Sequence, residues 1–243
     1  MRKKEANCSE NEKRQGDNWD HVAIDPESRL IVSMVPGKRT KKNVQKLVHD
    51  FACRTGHRTM GLMTSDEYKP YKDSILQEYG HEMPQLCRHP RGRKPKSKLT
   101  PPGDLVYATV HKTRRKGRVV SAEPRLIYGT QQQLEKALEN SSVSKSINTA
   151  FIERENATGR HRNARKVRKT YRFSKDWDIH NGMSWLECAF YNFCWPVRTL
   201  AQTAIDVAQK AKDTTPAMAA GLASHVWSAR EWFRFPAIFR KRE

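Results

Sequence analysis

The stretch from Ser146 to Lys175 constrains this chain most, because it sets one carboxylate, Glu153, at the head of a basic run. Residues that commonly cap helix N-termini precede it, namely Ser146, Asn148 and Thr149. Asn156, Ala157 and Arg160 then follow Glu153 at the three- and four-residue spacing of one helical face. This pattern predicts a helix that presents a carboxylate, an amide and a guanidinium on the same side.

Between Arg154 and Lys175 the only acid is Glu155. A charge run is ordinarily a solvated helix face, but so few balancing acids favour contact with a polyanion. The residues predicted to contact nucleic acid are Asn156, Arg160, Arg162, Arg165, Lys166, Arg168, Lys169 and Lys175.

The charge of the whole chain points to the same class of partner. The 243 residues contain 46 Lys and Arg against 26 Asp and Glu, a formal net charge of +20, which favours nucleic acid as the partner. No apolar run approaches the roughly 18 residues of a membrane helix, and the N-terminus lacks the apolar core of a signal peptide. We therefore expect a cytoplasmic protein without a membrane partner.

The five cysteines indicate no disulfide framework and no zinc finger, because they are odd in number and form no CxxC pair. The spacings that resemble metal ligands are Cys53 with His57, and His81 with Cys87 and His89. Structural zinc needs four well-spaced ligands.

The N-terminal half alternates between strand and helix signals. Residues 1–18 are polar and aperiodic and are predicted to form a charged linker. The runs WDHVAID and LIVSMV flank Asp25-Pro26-Glu27-Ser28, which suits a type I turn and predicts a β-hairpin. Thr40 caps a predicted helix that ends near Gly56 and has the apolar stripe Val44, Leu47, Val48 and Phe51.

The apolar run from Met60 to Thr64 predicts a buried strand that delivers Ser65 and Asp66 at its C-terminal end. Asp66 is the second carboxylate that we predict to carry chemistry. Its simpler interpretation is the N-cap of the following helix, whose inward face includes Ile75.

The rest of the chain is predicted to form a basic loop, strands and helices. Residues 88–104 are rich in bases and prolines and predict a loop. LVYATV and RVVSAEPRLIYG are predicted strands, and Gln131 to Glu139 a short helix. A later helix is predicted to pack its apolar face into the core, with residues Trp185, Leu186, Ala189, Phe190 and Phe193.

Several of these stretches resemble one protein family. INTAFIERENATGRHRNARKVRKTYRFSKD resembles the third-carboxylate helix of the Asp-Asp-Glu transposases of the insertion-sequence-one type, and TSDEYKPYKDSI resembles their second-aspartate strand. YNFCWPVRTL and TTPAMAAGLASHVWSAREW are similar to the C-terminal part of the same family. The sequence departs from the family at Trp195 and Val197, where a basic residue and His are frequent. The resemblance runs from Trp19 to about Trp232.

The resemblance implies an α/β fold, a ribonuclease H-like mixed sheet with helices on both faces. It implies a core over residues 19–183, with an insertion at about 84–140 before the third carboxylate, and a helical tail over 184–243. It also implies that Asp66 and Glu153 are catalytic and hold two Mg²⁺ ions, which suit oxygen ligands. The reaction implied is hydrolysis at the element's end, followed by attack of the freed 3′-hydroxyl on target DNA. The implied partners are transposon ends, target DNA and further copies of the chain on DNA, in a bacterial nucleoid.

The family's first carboxylate lies in a short Asp-Glu-x-Trp strand before the hairpin, and this sequence contains no such motif. We therefore expect an N-terminally truncated transposase, or an upstream reading frame that supplies the strand. Turn chemistry already explains Asp25. The alternative is a non-catalytic DNA-binding remnant, or an inhibitor of intact transposase. The hypothesis of an RNA-binding protein rests on charge alone, because no glycine-aromatic RNP stretch appears.

Overall fold

The computed structural model describes residues 17–84, 97–167, 171–172, 174, 176–201 and 213–235. They form a mixed α/β arrangement in two compact units. The first unit comprises the described residues of Lys3–Ala23 and Val32–Asn156, and the second comprises those of Ile24–Ile31 and Ala157–Glu243. The strands are β1 (Trp19–Ile24), β2 (Ile31–Gly37), β3 (Met63–Asp66), β4 (His81–Met83), β5 (Lys98–Thr100), β6 (Tyr107–Arg115) and β7 (Arg118–Tyr128). The helices are α1 (Lys41–Arg54), α2 (Pro70–Tyr79), α3 (Gln131–Asn140), α4 (Ala150–Arg162), α5 (Trp177–Cys194), α6 (Arg198–Ala201), α7 (Pro216–Ala219) and α8 (Ala229–Arg234).

The predicted hairpin is confirmed, since β1 and β2 pair in a two-stranded sheet. The Asp25 carboxylate accepts hydrogen bonds from the backbone amides of Glu27 at 3.2 Å and Ser28 at 3.0 Å. These bonds hold the turn between the strands, so the oxygens of Asp25 serve the backbone there, as its turn chemistry predicts.

Helix α1 also follows the prediction. The Thr40 hydroxyl accepts a hydrogen bond from the Asn43 amide at 3.3 Å, which caps the helix. Val44, Leu47 and Val48 are buried as predicted, together with Ala52.

The largest sheet is mixed, with strand order β3-β6-β7. β3 runs parallel to β6, from the pair Met63–Tyr107 to the pair Asp66–Val110, and β6 runs antiparallel to β7. The strand begins at Met63 rather than Met60, because the Met63 amide donates the first bond of this edge, to the Val106 carbonyl at 2.9 Å. Residues 84–140, predicted as an insertion, thus contribute two strands to the sheet that contains β3.

The core of the first unit lies between this sheet and the helix pair α1 and α2. Buried residues from both helices, including Val44, Ile75 and Tyr79, pack with Leu105 and Tyr107 of the strand region. Leu105 is fully buried and Tyr107 is 1% exposed. This packing fixes β6, and with it the β3 edge that carries Asp66.

In the second unit, α5 buries a stripe that differs from the predicted one. His180, Ser184 and Tyr191 are buried, whereas Trp185 is 44% exposed. The prediction of a core role for Trp185 is therefore wrong. Two members of this stripe have identified partners: the His180 ring bonds to the Ser174 hydroxyl at 3.1 Å, and the Tyr191 ring lies under the Arg162 guanidinium at 4.2 Å.

Helix α4 begins after Thr149, as predicted, and ends at Arg162 rather than continuing through the basic run. The Asn163 side chain accepts a hydrogen bond from the Arg165 amide at 3.1 Å, which starts a short 3-10 turn, Ala164–Lys166. Separately, none of the helices in the described ranges combines the length and the apolar character that a membrane crossing needs.

Candidate metal and nucleic-acid site

Asp66 lies at the C-terminal end of β3, where it was predicted. Helix α2 starts only at Pro70, and its N-cap residue Lys69 makes no side-chain capping bond, so Asp66 does not cap this helix. The Asp66 carboxylate contacts the Arg39 guanidinium at 3.2 Å, and Arg39 lies over the Tyr68 ring at 4.2 Å. The Asp66 side chain is 56% exposed, so its carboxylate is accessible. It is oriented by Arg39, whose guanidinium packs on the Tyr68 ring.

Glu153 lies in the first turn of α4. The Thr149 hydroxyl donates a hydrogen bond to Glu153 Oε1 at 2.8 Å. The Lys112 ammonium, from β6, donates to the Thr149 hydroxyl at 2.8 Å and also contacts the Glu153 carboxylate. Lys112 was not among the predicted site residues, since its position in the sequence gives no sign of contact with α4.

Asp66 and Lys112, the cation that contacts Glu153, lie on the same face of the β3-β6-β7 sheet. Asp66 pairs with Val110, and Lys112 follows two residues further along β6. Side chains alternate between the faces of a strand, and cross-strand partners share a face. Asp66, Val110 and Lys112 therefore project to one side, and Lys112 contacts Glu153 there.

A neighbouring carboxylate, that of Glu67, follows Asp66 directly in the sequence but has different partners. It makes a hydrogen bond with the His111 ring and accepts one from the Arg125 guanidinium at 2.8 Å. The bond with His111 lowers the pKa of Glu67. His111 is the neighbour of Lys112 on β6 and projects to the opposite face. Glu67 is therefore not part of the candidate metal site with Asp66 and Glu153.

Among the predicted nucleic-acid contacts, three lie accessible on or after α4. Asn156 and Arg165 are exposed and Arg160 is half-buried, while Glu155 and Gly159 occupy the buried side of the helix. These positions agree with a helix that turns its predicted face outward.

Arg162 and Lys166 lie instead in an internal network. The Arg162 Nε contacts Glu187 Oε1 at 3.3 Å, and the Lys166 ammonium contacts Glu187 Oε2. The Arg162 guanidinium also lies over the Tyr191 ring at 4.2 Å. Their side chains are only 7% and 15% exposed, so neither presents its charge to the surface. Arg168, Lys169 and Lys175 lie outside the described residues.

The spacing between Cys53 and His57 corresponds to a real contact. Cys53 Sγ lies 3.6 Å from His49 Nε2 and 3.8 Å from His57 Nε2. Over the described ranges, however, no group of three or more His, Cys, Asp or Glu side chains is arranged to hold a metal ion. Cys87 and His89, the other metal-like spacing, fall outside those ranges. Comparison with protein-family models, with curated proteins and with solved structures finds no match to this chain.

Proposed function

We propose that this chain is the catalytic region of an Asp-Asp-Glu transposase of the insertion-sequence-one type, with a ribonuclease H-like fold. It would cut DNA at the ends of an insertion sequence and join them to target DNA with Mg²⁺ as cofactor. One observation carries the proposal: Asp66 projects to the same sheet face as Lys112, and the Lys112 ammonium contacts Glu153, which is far from Asp66 in the sequence. The exposed Arg165 and the net charge of +20 support DNA as the substrate.

The residues present fit Mg²⁺ in donor type. Mg²⁺ is usually held by one or two carboxylates, with water and substrate phosphates completing its shell. Asp66 and Glu153 would be those carboxylates, and Arg39 and Lys112 would have to release them. When bound, Mg²⁺ would polarise the phosphate that is attacked.

The other residues would position the ligands and the substrate. The Thr149 hydroxyl would orient the Glu153 carboxylate, whereas Lys112 and Arg39 hold the Glu153 and Asp66 carboxylates until a metal ion displaces them. Arg160 and Arg165 would contact backbone phosphates, which fix the register of DNA without reading its sequence.

A non-catalytic DNA-binding protein, which occupies DNA or inhibits an intact transposase, is the second candidate function. It is favoured by the ion pairs of Asp66 and Glu153 and by the lack, within the described ranges, of a third ligand beside them. Such a protein would bind DNA through its basic surface but would not cleave or join it.

The test is nicking of supercoiled plasmid DNA in Mg²⁺ by the full chain, by Asp66→Asn and by Glu153→Gln. Glu139→Gln, a change at an exposed acid of α3, is the matched control. Nicking by the wild type and the control, lost in both site variants while DNA binding persists, supports the transposase. Binding without nicking by every variant, also after a peptide with the Asp-Glu-x-Trp strand is added, supports the second candidate. Nicking that survives in both site variants contradicts the proposed site.

A further inference from the structure

The outer end of the β6–β7 hairpin, residues Thr113–Ser121, is a two-stranded ribbon that we call the ribbon tip. β3 pairs with β6 only from Tyr107 to Val110, and no described strand pairs with the ribbon tip from the side. Every residue from Arg115 to Val120 is exposed, both on the strands and in the turn that joins them. The ribbon tip is therefore open to solvent on both faces.

The ribbon tip is strongly basic. Arg114, Arg115, Lys116 and Arg118 lie within five consecutive positions of the sequence, and no acid occurs from Leu105 to Ala122. Arg115 lies directly opposite Arg118 across the hairpin, and like charges in this position destabilise a strand pair. Within the described residues, no ion pair involves Arg115, Lys116 or Arg118. These cations therefore do not stabilise the fold, but they can stabilise a complex with an external polyanion.

The turn of the ribbon tip is tight. Lys116 and Gly117 both have left-handed backbone angles, with φ of 49° and 79°. Two such residues between paired strands form the hairpin turn whose twist matches that of the strands. The cations are thus carried on a pre-shaped ribbon.

We propose that the ribbon tip inserts into the major groove of duplex DNA, an inference that rests on the proposed function. From Thr113 to Lys116 it projects roughly 10 Å, at about 3.3 Å per residue. The major groove of B-DNA, about 12 Å wide and 8.5 Å deep, accepts a two-stranded ribbon. Arg115, Lys116 and Arg118 reach phosphates and guanine edges. Val119 and Val120, 47% and 59% exposed, offer apolar contacts to thymine methyl groups.

The shape of the major groove differs between duplex DNA and duplex RNA. The major groove of duplex RNA is deep and too narrow for side chains to read. The full chain should therefore bind duplex DNA more tightly than duplex RNA of the same sequence. Equal affinity for the two duplexes would overturn the insertion of the ribbon tip.

A charge-matched pair of variants tests the role of the cations. The triple variant Arg115→Gln, Lys116→Gln, Arg118→Gln should bind duplex DNA at least about tenfold more weakly at 100 mM salt, and its salt slope should fall by roughly one for each phosphate that is no longer bound. The control variant Lys42→Gln, Lys46→Gln, Lys136→Gln changes the net charge equally at exposed positions of α1 and α3, and its affinity should fall much less. Equal reductions in affinity would show that total charge alone matters and would overturn the proposal.

Dimethyl sulfate footprinting on the wild-type chain tests the groove directly, because the reagent methylates guanine N7 in the major groove. The bound chain should protect guanines that the ribbon-tip variant leaves reactive. If the wild type and the ribbon-tip variant protect the same guanines, the ribbon tip does not contact the major groove. That outcome would not bear on the nicking reaction. Absence of any DNA binding by the wild type would overturn both the ribbon tip and the proposed function.

Discussion

At the residue scale, the two predicted carboxylates are held by cations that are distant in the sequence. Lys112 lies 41 residues from Glu153, and Arg39 lies 27 residues from Asp66. The acids were recognisable from their local patterns, a helix start and a strand end. Their partners were not, because only the folded sheet brings β6 beside α4 and Arg39 beside β3.

His21 gives a pH-dependent prediction at the same scale. Burial is the main cause that lowers the pKa of His21 below its usual range, and the charge of Arg39 adds to this. Its ring nitrogen Nε2 donates a hydrogen bond to the Lys38 carbonyl at 3.2 Å. Because the unfolded chain binds a proton that the folded chain resists, the free energy of unfolding should fall as pH drops below about 6.5.

Urea unfolding at several pH values between 7.5 and 5 measures this effect. His21→Gln keeps a hydrogen-bond donor and does not titrate, so it should lose less stability over this range than the wild type. The same pH dependence in both proteins would show that His21 is not the group responsible.

At the element scale, helices α1 and α3 were predictable, and the inward face of α5 was not. Thr40 and Thr130 cap α1 and α3 through the amides of Asn43 and Gln133, so local chemistry fixes where these helices start. On α5, apolar spacing pointed to Trp185, yet the buried stripe contains polar residues. One of them, Tyr191, lies under the Arg162 guanidinium, a contact that sequence periodicity does not reveal.

Glu187 gives the prediction at this scale. It is 11% exposed and contacts both Arg162 and Lys166, while Gly159 leaves room for it, since a Cβ there would lie 3.0 Å from Glu187 Oε1. Glu187→Ala should destabilise the chain by roughly 1.5–3 kcal/mol, because it removes a nearly buried carboxylate that contacts two cations. Lys41→Ala, which removes an exposed pair with Asp73, should cost less than about 1 kcal/mol. Urea unfolding of both variants checks the contrast, and comparable small losses of stability would mean that the Glu187 network is solvated.

At the scale of the whole molecule, the mixed α/β arrangement follows from the alternation of strand and helix signals. The hairpin of β1 and β2 was predictable because its turn is local. The parallel pairing of β3 with β6 was not, because it joins segments separated by a helix and a basic loop. This pairing places Asp66 on the same face as Lys112, which contacts Glu153.

The net charge of +20 predicts that affinity for duplex DNA depends on salt. If six phosphates are contacted, affinity should fall by about a thousandfold between 50 and 200 mM salt. Replacing Arg165, Arg168 and Lys169 by Gln should lower the salt slope by roughly one for each phosphate that is no longer bound, equally for all DNA sequences. Lys166 is kept because its ammonium contacts Glu187. Fluorescence anisotropy titrations measure the slope. An affinity that does not change with salt would contradict the electrostatic account.

The most direct test of the central proposal, that Asp66 and Glu153 jointly hold Mg²⁺, is a double-mutant cycle in Mn²⁺ affinity, measured by electron paramagnetic resonance on the full chain. Asp66→Asn and Glu153→Gln should each weaken binding by at least about tenfold, and the double variant should be little weaker than either. Lys112→Met should act in the opposite direction, tightening binding by roughly two- to fivefold, because it frees Glu153 from an exposed ion pair. Wild-type affinity in either carboxylate variant, or reductions that simply add in the double variant, would contradict a shared ion.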